Sequence, residues 1–318
     1  MLSAQRRVIG FAYDGQQNCT NATEIPSLFT KFSYNWNGSS ADGRLRDWLD
    51  PGNTVLGMNG YDPVGTPPPV PGCRVSLRAM LEGAYQSGAM RTDLRTNLAL
   101  PQQEPYAALG YAHVGDGGGE VMTPAAWTAT GAGAIVDWVV VELRSAAQPQ
   151  EVLATRSALL RSDGMVVDMD GNSPVHFATA PWGNYYIGLR HRNHLGVMTS
   201  RPHVLGNVVQ TKNLMNGSTE VWQPDDAMKN IGGIRCLWAG DVNGDGRLTY
   251  TGPNNDRDPI LTRIGGTVPT AVALGYHPDD TDLNARVSYT GAINDREVVL
   301  QNIGGNTPTS VRLHRLPE

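Results

Sequence analysis

Apolar and polar residues alternate over much of the chain with the two-residue period of half-buried strands. Val75, Leu77, Ala79 and Leu81 are interleaved with Arg74, Ser76 and Arg78. Ala134–Leu143 is a β-branched run, Val152–Leu160 follows it across a proline-containing turn, and Tyr185, Ile187, Leu189, Leu195 and Val197 continue the pattern. Asp163-Gly164 lies between two such runs and signals a hairpin. Nearer the start, Phe29, Phe32, Tyr34 and Trp36 alternate with polar residues between Asn-Gly and Pro-Gly turns. No strand–helix–strand rhythm appears. Short strands at this spacing predict a mainly β protein of one or two antiparallel β-sandwich domains.

Helical spacing enters in the last quarter. Ile260, Leu261 and Ile264 form one apolar stripe, and Val299, Leu300 and Ile303 repeat it. Pro259 suits a first helical turn and Gly265 a helix end, which predicts a helix from Pro259 to about Ile264. The stripes belong to a duplication: positions 241–274 match 280–313 without a gap, Asp241 aligning with Asp280, at 16 of 34 residues. Three regions follow. Residues 1–69 form a β-rich N-terminal domain, 73–231 the main sandwich and 232–318 the duplicated module, with Gly65–Gly72, rich in proline, as a stiff boundary.

Composition narrows the class. The 318 residues contain 40% hydrophobic and only 17% charged side chains, enough for real cores and unlike a helix-rich cytosolic enzyme. A net charge of −5 gives no electrostatic reason for a nucleic-acid partner. Basic residues are almost all Arg, with Lys only at Lys31, Lys212 and Lys229. The most apolar stretch, Gly133–Leu143, is interrupted by Asp137 and Glu142, so no membrane span is predicted. Met1–Arg7 lacks the apolar core of a signal peptide, which leaves a signal upstream or a cytosolic chain. Cys19, Cys73 and Cys236 allow at most one internal disulfide.

Candidate chemistry concentrates in the duplication. Asp241-Val-Asn243-Gly-Asp245-Gly246-Arg247 is the first half of an EF-hand-type loop. Side-chain oxygens at alternate positions converge on one cation, glycine permits the sharp turn, and the next residue offers its carbonyl. Such hard oxygen donors suit Ca²⁺. Position 12 is Gly252, so the missing carboxylate is expected from Asp256 or Asp258 at the helix start. The second copy offers Asp280, Asp282, Asn284 and the carbonyl of Arg286, with Asp295 or Glu297 after them. Asn284 and Ala285 replace Asp245 and Gly246, so this copy is expected to be the weaker. The six-residue string consists of ordinary turn residues; its repetition ahead of a carboxylate-bearing helix start favours a cation.

The loop string resembles the type I dockerin repeat, a duplicated calcium loop plus helix. The longer Tyr250-Thr-Gly and Asn255-Asp-Arg-Asp-Pro-Ile-Leu strings, ending Ile264-Gly-Gly, look like the C-terminal region of large secreted proteins of Bacteroidota. So do Arg44–Pro51, Leu81-Glu-Gly-Ala-Tyr85, Val136-Asp-Trp-Val139, Val141-Glu-Leu-Arg144 and Arg190-His-Arg-Asn-His-Leu195. That resemblance implies an extracellular, surface-attached protein of a kind to which no catalytic activity is assigned, and the expectation is that the chain is not an enzyme.

The remaining candidates read as structural. His191 and His194, three apart in one predicted strand, fall on opposite faces and would not share a metal. Asp168–Asn172 is a turn, and Gly115–Glu120 lacks the third glycine of a dinucleotide loop. Asp47 and Asp50 beside Trp48 are too little to indicate glycoside hydrolysis. No nucleophile elbow, phosphate loop or paired-cysteine motif occurs. Four sequons, at Asn18, Asn21, Asn37 and Asn216, are of a kind common by chance. The expectation is a calcium-stabilised scaffold, adhesin or filament subunit that pairs with itself or other surface proteins. The alternative is a carbohydrate-binding module stacking glycans on Trp36, Trp48, Trp127, Trp182, Tyr185 or Tyr186.

Overall fold

The computed structural model describes residues 10–14, 28–31, 72–206, 209 and 211–317. Two compact units, Met1–Pro69 and Val70–Glu318, divide inside the proline-rich run. In the first, β1 (Gly10–Asp14) pairs antiparallel with β2 (Leu28–Lys31). The aromatic residues after Lys31, the Asp47–Asp50 segment and Cys19 lie outside the described residues.

The second unit opens with β3 (Cys73–Arg78), β4 (Tyr85–Gln86), β5 (Ala89–Met90) and the short helices α1 (Asp93–Thr96) and α2 (Pro124–Thr128). Strands β6 (Ile135–Ser145), β7 (Val152–Arg161), β8 (Met165–Val167), β9 (Val175–Phe177), β10 (Gly183–His191), β11 (His194–Met198), β12 (His203–Leu205) and β13 (Thr211–Asn213) follow. They form one nine-stranded sheet in the order β11-β10-β6-β7-β8-β3-β13, with β12 also on β10 and β9 also on β3. Only the β13–β3 pairing is parallel. Arg74 N–H donates to the Gly206 carbonyl just beyond β12 (3.3 Å), so β3 and β12, far apart in the strand order, meet again. The strands expected as a sandwich are thus hydrogen-bonded into one sheet rolled around a core of Leu77, Trp138, Leu159, Leu160, Phe177 and Ile187.

The β-branched run becomes β6 because both its faces are covered. Every residue from Ile135 to Arg144 is buried, which explains a continuous apolar run in place of alternation. The Tyr106 hydroxyl donates to the Trp138 carbonyl and the Trp138 indole to the Pro101 carbonyl (2.8 Å each), fixing the 100–122 segment over the strand. Burying one such large side chain is worth about 1.5–3 kcal/mol. Asp163-Gly164 makes the expected hairpin between β7 and β8, with Gly164 at φ +86°.

After β14 (Lys229–Ile231) and β15 (Ile234–Cys236) comes the duplication: β16 (Arg247–Thr249), α3 (Arg257–Arg263), β17 (Val272–Leu274), β18 (Arg286–Ser288), α4 (Asp295–Asn302) and β19 (Val311–Leu313). Each copy was expected to be a loop and a helix; each is instead loop, strand, helix, strand. The strands cross over, β16 pairing with β19 and β17 with β18, so the first strand of each copy binds the last strand of the other. Their shared core is built of equivalent pairs: Leu248 and Val287, Ile260 and Val299, Ile264 and Ile303. The expected boundary at 231/232 separates no compact unit. Leu195 of β11 belongs to the core of the duplication, and Leu283 and Ala285 belong to the core of the sheet.

Candidate metal centre

Both copies build the same pocket of oxygen. In the first loop, helix α3 starts where the Asn255 side-chain carbonyl accepts the Asp258 N–H (2.9 Å). That turn aims Asp256 back across the loop, where its carboxylate accepts the N–H groups of Val242 (2.8 Å) and Thr249 (2.7 Å). Asn294 does the same for α4 by accepting the Glu297 N–H (2.9 Å). Asp295 then accepts from Thr281 N–H (2.7 Å) and Ser288 N–H (2.7 Å). At the front of each loop, Asp241 accepts the Gly246 N–H (3.2 Å) and Asp280 the Ala285 N–H (2.8 Å).

These oxygens sit in low-dielectric surroundings without a matching set of cations. Burial pushes Asp241 up to about 8, with Asp256 and Asp245 adding like charge, and pushes Asp256 up to about 7. In the second loop burial, then the charge of Asp282, raises Asp295 to about 7. Asp280 and Asp282 are raised as well, burial again leading, although nearby Arg192 and Arg91 respectively oppose the rise. Asp280, Asp282 and Asp295 bring one oxygen each within 4.8 Å of one another, a group that can hold a metal ion. Two further oxygens, Asp241 Oδ1 and Asn284 Oδ1, are buried without a hydrogen-bond partner. A stranded acceptor among carboxylates fits a hard cation, because carboxylates unscreened at this density repel one another.

Several sequence expectations change here. Asp258 and Glu297 do not join the loops. Asp258 is turned outward against Arg257 (2.7 Å), and Glu297 accepts from Gln301 one helical turn on (2.6 Å). Asp256 and Asp295, each the residue directly after the capping asparagine, take the inward place instead. Arg247 and Arg286 open strands β16 and β18 with their side chains exposed, and only their carbonyls remain candidate ligands.

The second loop is also not the poorer one. What it loses in Asn284 it regains in Asp282, which stands where the first loop has Asn243, so each loop contributes three carboxylates: Asp241, Asp245 and Asp256, or Asp280, Asp282 and Asp295. The backbone turn survives the loss of glycine: Ala285 keeps φ +68° where Gly246 has +78°. A non-glycine residue there costs about 1–2 kcal/mol, so the rest of the loop holds it in place.

His191 and His194 do not lie on one strand. Arg192-Asn193 forms the turn between β10 and β11, and the two rings face each other edge-on at 4.7 Å. Their nitrogens are all engaged. His191 Nε2–H donates to Asp137 (3.0 Å), and its Nδ1 accepts from Asn193 N–H. His194 Nε2 accepts from Gly83 N–H (3.1 Å), and its Nδ1–H donates to Asn193 Oδ1 (2.8 Å). Burial holds both rings below their ordinary pKa, neutral and structural. Cys73 and Cys236 are free, buried thiols, pushed up by burial to about 11 and 12.

What sequence reasoning missed is the ring of residues that seats the duplication on the sheet. Asp137 is fully buried and accepts from Arg192, His191 Nε2, the Tyr276 hydroxyl (2.8 Å) and Trp138 N–H (2.8 Å). Although burial opposes ionisation, Arg192 and these donors hold its carboxyl down at about 2. Glu142 pairs with Arg144 (2.7 Å) and Arg190, and Glu82 takes Lys229, Asn302 Nδ2 (2.7 Å) and Ala239 N–H (3.0 Å).

Comparison of the chain with protein-family models, curated proteins and solved structures gives no match. No helix among the described residues is long and apolar enough to cross a membrane.

Proposed function

We propose that this is an extracellular structural protein, a surface scaffold, adhesin or filament subunit, whose duplicated dockerin-like loops each bind Ca²⁺. One observation carries this reading: three buried carboxylates, Asp280, Asp282 and Asp295, gather their oxygens within 4.8 Å at a loop spacing made of hard donors. Bound calcium would neutralise the raised carboxylates and let the loops order without a large apolar interior. Asp241, Asn243, Asp245 and Asp256 would hold the first ion, and Asp280, Asp282, Asn284 and Asp295 the second. Millimolar calcium outside cells saturates sites with dissociation constants of about 10⁻⁴–10⁻³ M. The mainly β, antiparallel architecture supports a scaffolding role.

Calorimetric titration of the full chain with CaCl₂ is expected to give two ions per chain, and chelator to lower the melting temperature. Absence of calcium binding overturns the reading. Electron micrographs of purified protein with calcium test assembly, and isolated monomers at high concentration count against a filament. The carbohydrate alternative rests on Trp182, which is 53% exposed, whereas Tyr185 is buried with its hydroxyl on the Pro181 carbonyl (2.7 Å). Binding on a glycan array lost with Trp182→Ala would favour it.

A further inference from the structure

The two acidic loops have the same backbone and the same number of carboxylates, yet the rest of the protein treats them differently. The second loop is gripped from outside by its own carbonyl groups. Asn193 Nδ2 donates to the carbonyls of Asp280 (2.6 Å) and Pro278 (2.8 Å). Arg91 Nη2 donates to Asp282 (2.8 Å) and Gly83 (2.9 Å), and Asn97 Nδ2 donates to Asn284 (3.2 Å). Arg192 Nε adds a bond to the His277 carbonyl (3.3 Å). The backbone of Gly83 lies against the loop so closely that a Cβ there would fall 2.1 Å from the Thr281 carbonyl oxygen. Under this cover Asp280 is 0% exposed, Asp295 1% and Asp282 9%.

The first loop is held more lightly: the Asn193 carbonyl accepts the Gly240 N–H (2.9 Å) and the His314 N–H donates to the Gly246 carbonyl (2.9 Å), but among the described residues no side chain of the sheet donates to the carbonyls of its ligand residues. Asp241 and Asp256 are buried, but Asn243 and Asp245 are exposed. A cleft of about 270 Å³ lined by Tyr111, Arg190, Asp241 and Asn243 opens on one side of it. A second cleft, lined by Asn243, Asp245, Asn254 and Asp258, opens on the other.

An ion leaves a loop only after its ligands swing away and water reaches it. In the first loop the exposed Asn243 and Asp245 can swing away by side-chain rotation, which occurs in picoseconds to nanoseconds, and admit water to the ion held by the buried Asp241 and Asp256. For the second it requires local opening of a buried hydrogen-bonded joint, whose free energy approaches that of the surrounding core. We infer that the two cation sites are kinetically unequal: the second loop traps a structural ion in the joint between duplication and sheet, and the first exchanges its ion freely with the medium. This rests on the calcium reading above and divides the work between the sites, one holding the fold and one able to follow the calcium concentration.

The test is stopped-flow release of Ca²⁺ from the full, calcium-loaded chain into excess fluorescent chelator. Two phases of one equivalent each are expected, at least tenfold apart in rate. Asp245→Ala should abolish the fast phase and leave the slow one. Asn193→Ala should accelerate the slow phase tenfold or more while two equivalents are still released and the fast phase is unchanged. If Asn193→Ala does not fold, Asn97→Ala, at an exposed position, gives the same readout more weakly. Release of both equivalents in one phase, loss of the slow phase in Asp245→Ala, or a slow phase indifferent to both clamp substitutions overturns the inference while leaving calcium binding intact. A chain that takes up no calcium overturns both.

Discussion

Replacing Asp137 with alanine removes the acceptor on which the seat of the duplication converges. Asp137 and Arg192 side chains are both 0% exposed, and the guanidinium has the Tyr276 ring 4.0 Å away on its face. Removing one partner of a buried ion pair leaves an uncompensated charge and costs about 3–5 kcal/mol. The Tyr276 hydroxyl, deprived of its acceptor, adds about 1–3 kcal/mol if no water replaces it. For a unit of this size 1 kcal/mol corresponds to about 2–4 °C, so the guanidinium alone predicts a melting temperature lower by roughly 6–20 °C. Differential scanning calorimetry in saturating calcium measures it, with Glu151→Ala, an exposed position expected to change stability by no more than about 0.5 kcal/mol, as the control. The double variant Asp137→Leu/Arg192→Met, which strands no charge, should recover most of the loss. A shift of Asp137→Ala within about 2 °C of the control's, or a double variant as unstable as the single, would refute the reasoning.

Three further outcomes are expected. In chelator, Asp295 titrates near 7 in the folded protein but in the ordinary carboxylate range when unfolded, so the folded state retains a proton that the unfolded chain has released. Stability from this group therefore falls as pH rises from about 4 to 8. Asp295→Asn should gain on the parent between pH 5 and pH 8, a comparison in which His191 and His194 cancel, and a constant difference would contradict it. Gly83→Ala should lower thermal stability by several degrees through the clash with the Thr281 carbonyl, and a neutral result would show that the second loop is not seated there. Asp258→Asn and Glu297→Gln should leave the calcium stoichiometry measured by titration unchanged, whereas Asp256→Asn and Asp295→Asn should each reduce it by one ion.

The strands were legible because burial on one or both faces writes itself into periodicity: β3, β6, β7, β10 and β11 all fall on apolar runs, and Gly164 marks its hairpin. The loops were legible because cation ligation constrains residue type at fixed offsets. What could not be read was geometry between distant segments. Alternation cannot say that Arg192-Asn193 is a turn, since both His191 and His194 fit strand neighbours on either side of it. Nor could helical spacing alone choose between Asp256 and Asp258, because the choice depends on a capping hydrogen bond that Asn255 Oδ1 accepts from the Asp258 N–H. The strings Leu81–Tyr85, Val136–Val139, Val141–Arg144 and Arg190–Leu195 carried the missing signal. Glu82, Gly83, Asp137, Glu142, Arg144, Arg190, Arg192, Asn193 and His194 all serve the joint with the duplication or the charge cluster beside it.

The crossed pairing of β16 with β19 makes the duplicated halves mutually dependent. A polypeptide emerging from a ribosome reaches the first acidic loop some sixty residues before the strand that will flank it, Val311–Leu313, so that loop must wait, open and unsupported, until its distant partner arrives. Excising residues 306–317 should accordingly damage the earlier loop as well as the later one, and two fragments severed near residue 267 should each remain incomplete until mixed.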